Sequence, residues 1–243
     1  MMTKLLTGDN LNNVFVQNAY SMLVGNLYLK DKEKKYRTIT ITSCNPKEGK
    51  SSISTSLAMT LSNMNKKTLL VNMDFRQSVP RKLTQQSVHG IAQYLRGDVE
   101  LDKVICKTNY ENLYYLDSGN ISGDPTTMLC SEKLKEFIAA SKEEFEYVIF
   151  NTPSLECISD SLILASMTDA TVLVCRVGYT TIIELKKAQD QLKGVNANMI
   201  GVILNRVGKS LYKKRFASFK YYSSIRNTKT NNFLYTNKQN IKH

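Results

Sequence analysis

The sequence predicts an α/β fold with a mainly parallel sheet and helices on both of its faces. Short apolar runs rich in β-branched residues alternate along the chain with stretches of helical periodicity. Strands that alternate with helices in this way favour parallel pairing, because each helix returns the chain to the same end of the sheet. The 243 residues, of which 42% are hydrophobic, suffice for one larger domain with a substantial core.

The individual elements follow from local patterns and from the polar, Gly and Pro residues between them. Apolar runs rich in β-branched residues predict strands over residues 37–43, 68–73, 147–150, 170–177 and 199–205. Apolar residues at helical spacing predict helices over residues 14–29, 51–63, 131–144 and 181–193. We therefore expect an N-terminal helical arm (1–35), a central domain (36–208) and a flexible basic tail (209–243).

Charge and cysteine content limit the class of protein. The net charge is +12, and residues 191–243 contain eleven Lys and Arg with no Asp or Glu, which is typical of a solvated arm or an anion-binding surface. No apolar run reaches the roughly 18 residues of a membrane span, and no secretion signal is recognisable at residues 1–18. The five cysteines lack CxxC spacing and His89 and His243 form no metal group, which predicts a cytoplasmic protein with reduced, mostly buried thiols.

A phosphate-binding loop is predicted over residues 42–52. Its centre, Cys44-Asn45-Pro46-Lys47-Glu48-Gly49-Lys50-Ser51, follows a predicted strand and opens a predicted helix, which is the context that a P-loop requires. Backbone N–H groups and the helix N-terminus bind phosphate there, Lys50 would neutralise the β- and γ-phosphates, and Ser51 would ligate Mg²⁺. Cys44 replaces the first glycine of the strict pattern, so a chance lysine-rich turn is the alternative.

Two later segments are expected to form the metal side of this site. Asp74 follows the predicted strand 68–73, and Asn151 follows the strand 147–150, where a Walker B aspartate would normally stand. Ligands of open α/β sheets collect at the carboxyl ends of the strands, so both side chains should lie near Lys50.

Together these segments resemble the cytosolic bacterial tyrosine kinases of capsule and exopolysaccharide synthesis, the CpsD/CapB family. The resemblance runs from about residue 18 to residue 205, and three further stretches carry it: HGIAQYLRG (89–97), NLYYLDSG (112–119) and GVILN (201–205). It implies a P-loop NTPase fold of the MinD/ParA-like deviant Walker superfamily over residues 36–208. It also implies ATP and Mg²⁺ as cofactors and an ATP-dependent protein-tyrosine kinase activity that regulates polymer length and export.

The same resemblance assigns the site residues. The nucleotide-binding residues would be Asn45, Lys47, Glu48, Gly49, Lys50, Ser51, Ser52 and Asn205. The catalytic residues would be Lys50, Asp74 and the degenerate Asn72 and Asn151, with Ser51 and Asp74 as metal ligands. The tail carries a sparse version of the family's autophosphorylated tyrosine cluster, at Tyr212, Tyr221, Tyr222 and Tyr235.

Several departures from the family pattern affect the predicted chemistry. Asn72 and Asn151 stand for the first Walker A′ aspartate and the Walker B aspartate, and Lys47 stands for a glycine. Each amide keeps a carbonyl oxygen but loses a charge, which weakens Mg²⁺ binding because such charges interact by about 4 kcal/mol at 4 Å. Neither amide can act as a general base, whereas Lys47 is expected to contact phosphate. The family's ring-forming Glu-x-x-Arg-x-x-Arg reads Asn18, Ser21 and Val24.

Three functional hypotheses follow. The first is a slow tyrosine autokinase; the second is a catalytically impaired, nucleotide-binding adaptor that works beside an active paralogue. The third is a ParA/MinD-like partitioning ATPase with a DNA-binding tail, but Asn45-Pro46 stands where its signature lysine is expected. By resemblance, the protein is peripheral at the inner face of the cell membrane. Its expected partners are a membrane-bound polysaccharide co-polymerase that modulates the kinase, anionic lipid at the basic tail and further copies of itself, but not nucleic acid.

Overall fold

The computed structural model describes residues 2–3, 14–30, 36–75, 89–156 and 159–208. It contains two compact units, Met1–Asn205 and Arg206–His243, and only residues 206–208 of the second are described. The four tail tyrosines therefore lie outside the described residues, and the predicted three-part division stays a prediction. Within the described ranges, no helix is both long enough and apolar enough to cross a membrane.

One sheet of eight strands forms the centre of the described structure. The strands are β1 (Met2–Thr3), β2 (Thr38–Ser43), β3 (Thr68–Asn72), β4 (Ile105–Thr108), β5 (Leu113–Leu116), β6 (Tyr147–Ser154), β7 (Ala170–Arg176) and β8 (Met199–Asn205). Their order is β1-β4-β5-β3-β6-β2-β7-β8, and every neighbouring pair is parallel except β4 and β5. The predicted, mainly parallel α/β fold is confirmed.

Helices cover both faces of this sheet. They are α1 (Val14–Lys30), α2 (Lys50–Asn63), α3 (Ile91–Arg96), α4 (Pro125–Leu129), α5 (Glu132–Glu144), α6 (Asp160–Met167) and α7 (Ile182–Gly194), with a short 3-10 helix at Leu101–Lys103. Alternate residues of β3 show the two faces, as the period of a strand requires. Leu70 packs in the cluster that contains the apolar residues of α1 and α2, whereas Leu69 and Val71 pack in the cluster of α3 to α6.

Helix α1 packs on α2 through apolar side chains. Val24 and Leu27 are buried in the same cluster as Ile53 and Leu57 of α2. Burial also raises the pKa of Tyr20, although a hydrogen bond with Ser56 opposes the shift. Val24, which stands where the family's second ring-forming arginine is expected, is therefore a core residue in this chain.

Hydrogen bonds to one carboxylate connect the strands at the end of the sheet opposite the predicted loop. Asp169, just before β7, accepts hydrogen bonds from the Thr38 amide and hydroxyl at 2.8 Å and from Lys142 Nζ at 2.6 Å. Burial raises the pKa of Asp169, but these bonds more than offset it, so that the net shift is downward. This carboxylate joins β2, β7 and α5.

Strand β6 is longer than the sequence predicts. It continues past Phe150 to Ser154, because β2 and β3 flank it on both sides and pair with it as far as Ser154 and Asn151. Asn151 therefore lies within the strand rather than after it, beside Asn72 of β3.

Candidate nucleotide-binding site

The predicted loop connects β2 to α2 with two residues in the left-handed backbone region. Gly49, just before α2, has φ 95°, and Lys47 has φ 61°. The left-handed region costs an L-residue about 1–2 kcal/mol and costs glycine nothing, so glycine would be the less strained residue at position 47. The Lys47 side chain is exposed at the mouth of the loop.

The end of β8 supports the loop from behind. Asn205 Nδ2 donates a hydrogen bond of 2.8 Å to the Glu48 carbonyl, and a Cβ added to Gly49 would overlap the Asn205 amide. The Glu48 side chain is fully buried; it accepts a hydrogen bond from the Asn45 amide at 3.1 Å and another from the Thr180 hydroxyl. The Glu48 carboxylate thus holds the loop in place through hydrogen bonds on its buried side. The exposed side of the loop backbone is left for contact with a ligand.

Lys50 is the buried cation of the loop. It opens α2 with 5% of its surface exposed, and burial lowers its pKa, while the negative charges of Asp74 and Glu48 act in the opposite direction. An ammonium group with little hydration interacts strongly with an incoming anion, because few water contacts must be given up. Ser51 and Ser52 follow on the exposed first turn of the helix.

Two asparagine side chains form a hydrogen-bonded chain next to Ser51. Asn151 Nδ2 donates to Asn72 Oδ1 at 3.1 Å and to Ser51 Oγ at 3.3 Å. Asn72 Oδ1 also accepts from the backbone N–H of Asp74 at 3.3 Å, which fixes the orientation of the Asn72 amide. Each amide keeps its carbonyl oxygen, but in this arrangement neither oxygen is placed against Ser51. The oxygen of Asn72 is occupied by two donors, and Asn151 turns its nitrogen toward Ser51.

Asp117 is the last side chain of this hydrogen-bonded row and was not identified from the sequence as a site residue. Its Oδ1 accepts hydrogen bonds from Asn72 Nδ2 at 3.4 Å and from the Ser118 backbone N–H at 2.7 Å. Tyr115, whose pKa is raised by burial and then by the charge of Asp117, also hydrogen-bonds to it. Val71 pairs with Leu116, so Asp117 lies beside Asn72 at the carboxyl end of β5. Asp74 and Asn151 were predicted because ligands collect at the carboxyl ends of the strands. The same rule identifies Asp117 once β5 is recognised as a strand.

Two of the family-like stretches fix the position of Asp117. The Ile91 amide donates to the Asp117 carbonyl at 2.8 Å, and the Ala92 amide donates to the Ser118 carbonyl at 3.1 Å. A Cβ on Gly90 would overlap the backbone of Asp117, so this close approach requires glycine. Residues 89–97 and 112–119 therefore form one packed unit beside the site.

Few charged side chains near Ser51 are candidates for holding a divalent cation. Within the part of the chain that the structure describes, no group of three or more His, Cys, Asp and Glu side chains is placed to hold a metal ion. Mg²⁺ prefers charged oxygen ligands, and among the residues predicted to hold it only Asp74 supplies one. Mg²⁺ at this site would therefore need phosphate oxygens and water in addition to Ser51 and Asp74.

The cysteines only partly match the prediction of mostly buried thiols. Cys44, at the start of the loop, and Cys175 of β7 are buried with their sulfurs 3.8 Å apart. The hydrogen bond with Cys175, together with burial, raises the pKa of Cys44. Cys106, in the short strand β4, is half-buried, and Cys130, just after the short helix α4, is exposed; Cys157 lies outside the described residues.

Comparison with known proteins gives the family of this chain. Residues 36–206 match the sequence family described as AAA domain. Tyrosine-protein kinase CpsD of Streptococcus pneumoniae serotype 4 is 33% identical over 204 residues, which cover 82% of this chain and 89% of the relative. The chain belongs to the CpsD-like family of bacterial capsule tyrosine kinases. As a CpsD-like chain with a P-loop fold, it is expected from that fold to bind nucleotide.

Solved structures agree on the fold of this CpsD-like chain. The kinase domain of the Escherichia coli tyrosine kinase ETK superposes with a TM-score of 0.78 at 22% identity, over 85% of this chain and 89% of the other. The septum site-determining protein MinD from Pyrococcus horikoshii, complexed with Mg-ADP, superposes with a TM-score of 0.60 at 22% identity, over 71% of each chain. At these identities the likeness concerns the fold alone, so the partitioning hypothesis gains no support beyond it.

Proposed function

We propose that this chain binds ATP or ADP at residues 44–51 and acts as a tyrosine-protein kinase of low intrinsic activity in the capsule or exopolysaccharide machinery. The observation that carries the proposal is the buried ammonium of Lys50 at the start of α2, framed by the left-handed turn at Gly49. A desolvated cation and a helix N-terminus that converge on one loop are what nucleotide phosphates require.

The other site residues take roles around the phosphates in this proposal. The backbone N–H groups of residues 47–52 bind phosphate oxygens, and Lys47 adds a second, exposed positive charge. Asn205, half-buried behind Gly49, lies on the side assigned to the adenine base. Ser51 and Asp74 are the residues that would hold Mg²⁺, which would neutralise phosphate charge when bound.

The phosphoryl acceptors would be the tail tyrosines Tyr212, Tyr221, Tyr222 and Tyr235. Each phosphate adds about −1.5 to −2 of charge, so modification would reduce the positive charge of residues 191–243 and weaken their attraction to anionic lipid. We place the protein at the inner face of the membrane, beside a membrane-bound co-polymerase, where this change of charge would regulate polymer length and export.

A nucleotide-binding adaptor without kinase activity is the second candidate. The observation that favours it is the pair Asn72 and Asn151, which supplies neither a general base nor an anionic metal ligand. In this case the nucleotide would stabilise the fold for binding the co-polymerase, while an active paralogue would phosphorylate the tail.

Purified full-length protein distinguishes the two candidates. Incubation with ATP and Mg²⁺, followed by phosphotyrosine detection, should give a weak signal that disappears in Lys50→Ala and in a variant with the four tail tyrosines changed to Phe. Asn72→Asp combined with Asn151→Asp should raise that signal at least tenfold, equivalent to about 1.4 kcal/mol of barrier. No signal in either protein, together with ADP binding that depends on Lys50, would identify the adaptor.

A further inference from the structure

The start of helix α7 exposes two large apolar side chains. Ile182 and Ile183 are 85% and 81% exposed, more than any other large apolar side chain among the described residues. Val177 and Tyr179, in the turn before the helix, are 38% and 46% exposed. We call these four residues the α7 patch. Removal of apolar surface from water is favourable, so an exposed apolar patch is a candidate interaction site.

Hydrogen bonds and packing hold the α7 patch in this exposed position. The Thr181 hydroxyl accepts from the Glu184 amide at 3.2 Å, and the Glu184 carboxylate accepts from the Thr181 amide at 2.7 Å, which forms a capping box. On the other side of the helix, Ala188 and Leu192 are buried in the cluster that contains Leu173 of β7. The first turn of α7 is therefore well fixed, and its two isoleucines protrude from a rigid support.

Lysine side chains accompany the isoleucines on the exposed side of the helix. Lys186 and Lys187 are exposed and follow Ile182 and Ile183 by four residues each, so they lie on the same side of α7 one turn further on. Residues 176–194 contain four Lys and Arg against two Asp and Glu, a net charge of +2. The patch is thus apolar at its tip and positively charged behind it.

The most basic part of the sequence begins next to this patch. The Val177 N–H donates to the Asn205 carbonyl at 3.1 Å, so the last residue of β8 lies beside the patch. From there the chain continues into residues 206–243, which contain ten Lys and Arg and no Asp or Glu. A small apolar contact with a membrane is weak alone and becomes stable when a polybasic segment adds attraction to anionic lipid. The chain supplies both contributions from neighbouring positions.

An anionic bilayer suits this surface better than a protein partner does. Each partner in a standard protein interface buries about 800 Å², and one helical turn with two protruding tips offers much less. A bilayer needs no matching surface. It accepts single apolar side chains at the boundary of headgroups and acyl chains, while nearby lysine side chains reach up to the lipid phosphates.

We infer that the α7 patch inserts into the surface of a bilayer that contains acidic phospholipids, with Lys186 and Lys187 at the headgroups. The inference rests on the membrane location in the proposed function, which depends there on the basic tail alone. It adds a second contact, which is apolar and is therefore not screened by salt. It also orients the protein, with the start of α7 toward the membrane.

Sedimentation of the full-length protein with vesicles of phosphatidylcholine and phosphatidylglycerol tests this. Ile182→Gln combined with Ile183→Gln should lower the partition coefficient at least tenfold, and by a similar factor at low and at high salt. The matched control is Tyr28→Gln with Leu29→Gln, which removes side chains 63% and 62% exposed from α1, on the opposite face of the sheet. It should bind like wild type. Both double variants should unfold in urea at the wild-type midpoint, because the replaced side chains are exposed.

A fluorescent reporter measures insertion directly, because the chain contains no Trp. The emission of Ile183→Trp should shift to shorter wavelength with the phosphatidylglycerol vesicles and be quenched by brominated acyl chains. Tyr28→Trp should show neither change. Lys186→Gln with Lys187→Gln should weaken binding several-fold at low salt and have little effect at high salt.

Equal vesicle binding by wild type and the Ile182→Gln, Ile183→Gln protein would overturn the inference. If high salt then removed all binding, the basic tail would account for the proposed membrane location, which would stand. Absence of wild-type binding would refute that location as well as the inference. Self-association that the double variant loses, with unchanged vesicle binding, would assign the patch to a second copy of the chain and would also overturn the inference.

Discussion

Replacing Asn72 with Asp places a second carboxylate beside Asp117, and the structure predicts that this change alone destabilises the protein. The Asn72 nitrogen that now donates to Asp117 at 3.4 Å would become an oxygen facing another carboxylate. Two such charges with centres about 4.5 Å apart repel each other by about 4 kcal/mol at an effective dielectric constant of 20. The two carboxylates can avoid this repulsion by sharing a proton. Protonation of a carboxylate with a reference pKa of about 3.9 costs about 4 kcal/mol at pH 7.

Because protonation can relieve the repulsion, the destabilisation by Asn72→Asp should be larger at high pH than at low pH. The like charge raises the pKa of the Asp pair in the folded protein above its unfolded value. The penalty is therefore full at high pH and decreases as pH falls through the folded pKa. Since the cost of protonation falls by about 1.4 kcal/mol per pH unit, the penalty is limited to about 1.5 kcal/mol at pH 5.

Urea unfolding in EDTA at pH 7 and pH 5 measures this effect. Asn72→Asp should lose about 4 kcal/mol at pH 7 and markedly less at pH 5. In Asn72→Asp with Asp117→Asn, an amide faces the new carboxylate again, so that most of the loss should be recovered. Asn63→Asp, an exposed control of the same charge change, should stay within about 0.5 kcal/mol of wild type. Equal stability of Asn72→Asp and wild type at both pH values would refute the contact with Asp117.

Two further predictions concern the backbone of the loop and the opposite end of the sheet. Lys47→Gly should stabilise the protein by about 0.5–1 kcal/mol in urea unfolding, because relief of the left-handed strain exceeds the entropy cost of glycine; a loss of stability would contradict it. Asp169→Asn should cost about 1.5 kcal/mol at pH 7. Because the folded pKa of Asp169 is lowered, its contribution is present above the unfolded pKa of about 3.9 and is lost as pH falls further. The difference from wild type should therefore shrink at pH 3, and a constant difference would be the contrary result.

The sequence predicts well where the pattern is long and local. The strand, glycine turn and helix over residues 38–63 match the prediction within one residue, because β-branched alternation, Gly49 and helical periodicity all agree there. Strands β4 and β5 and helix α3 were not predicted, since each has only four to six residues. Helix α6 was not predicted either, because it is apolar on several sides and shows no amphipathic stripe.

The polarity of the site is what the sequence could not reveal. An asparagine carries a donor and an acceptor, so its identity at positions 72 and 151 says nothing about which atom faces which neighbour. That choice is set by the Asp74 N–H and by Asp117, which lies 45 residues from Asn72 in the chain. The position of Asp117 beside Asn72 follows only from the register of β5 against β3.

The support of the loop by Asn205 has a consequence for the order in which the protein is made. Glu48 is translated early, yet the hydrogen bond to its carbonyl comes from a residue 157 positions later. The residues of the loop are therefore synthesised long before the residue that supports them from behind. A truncation before β8 would remove the side chain that packs against Gly49 and would leave the Glu48 carbonyl without this partner. The loop therefore reaches its fully supported conformation only when nearly the whole of Met1–Asn205 has been synthesised.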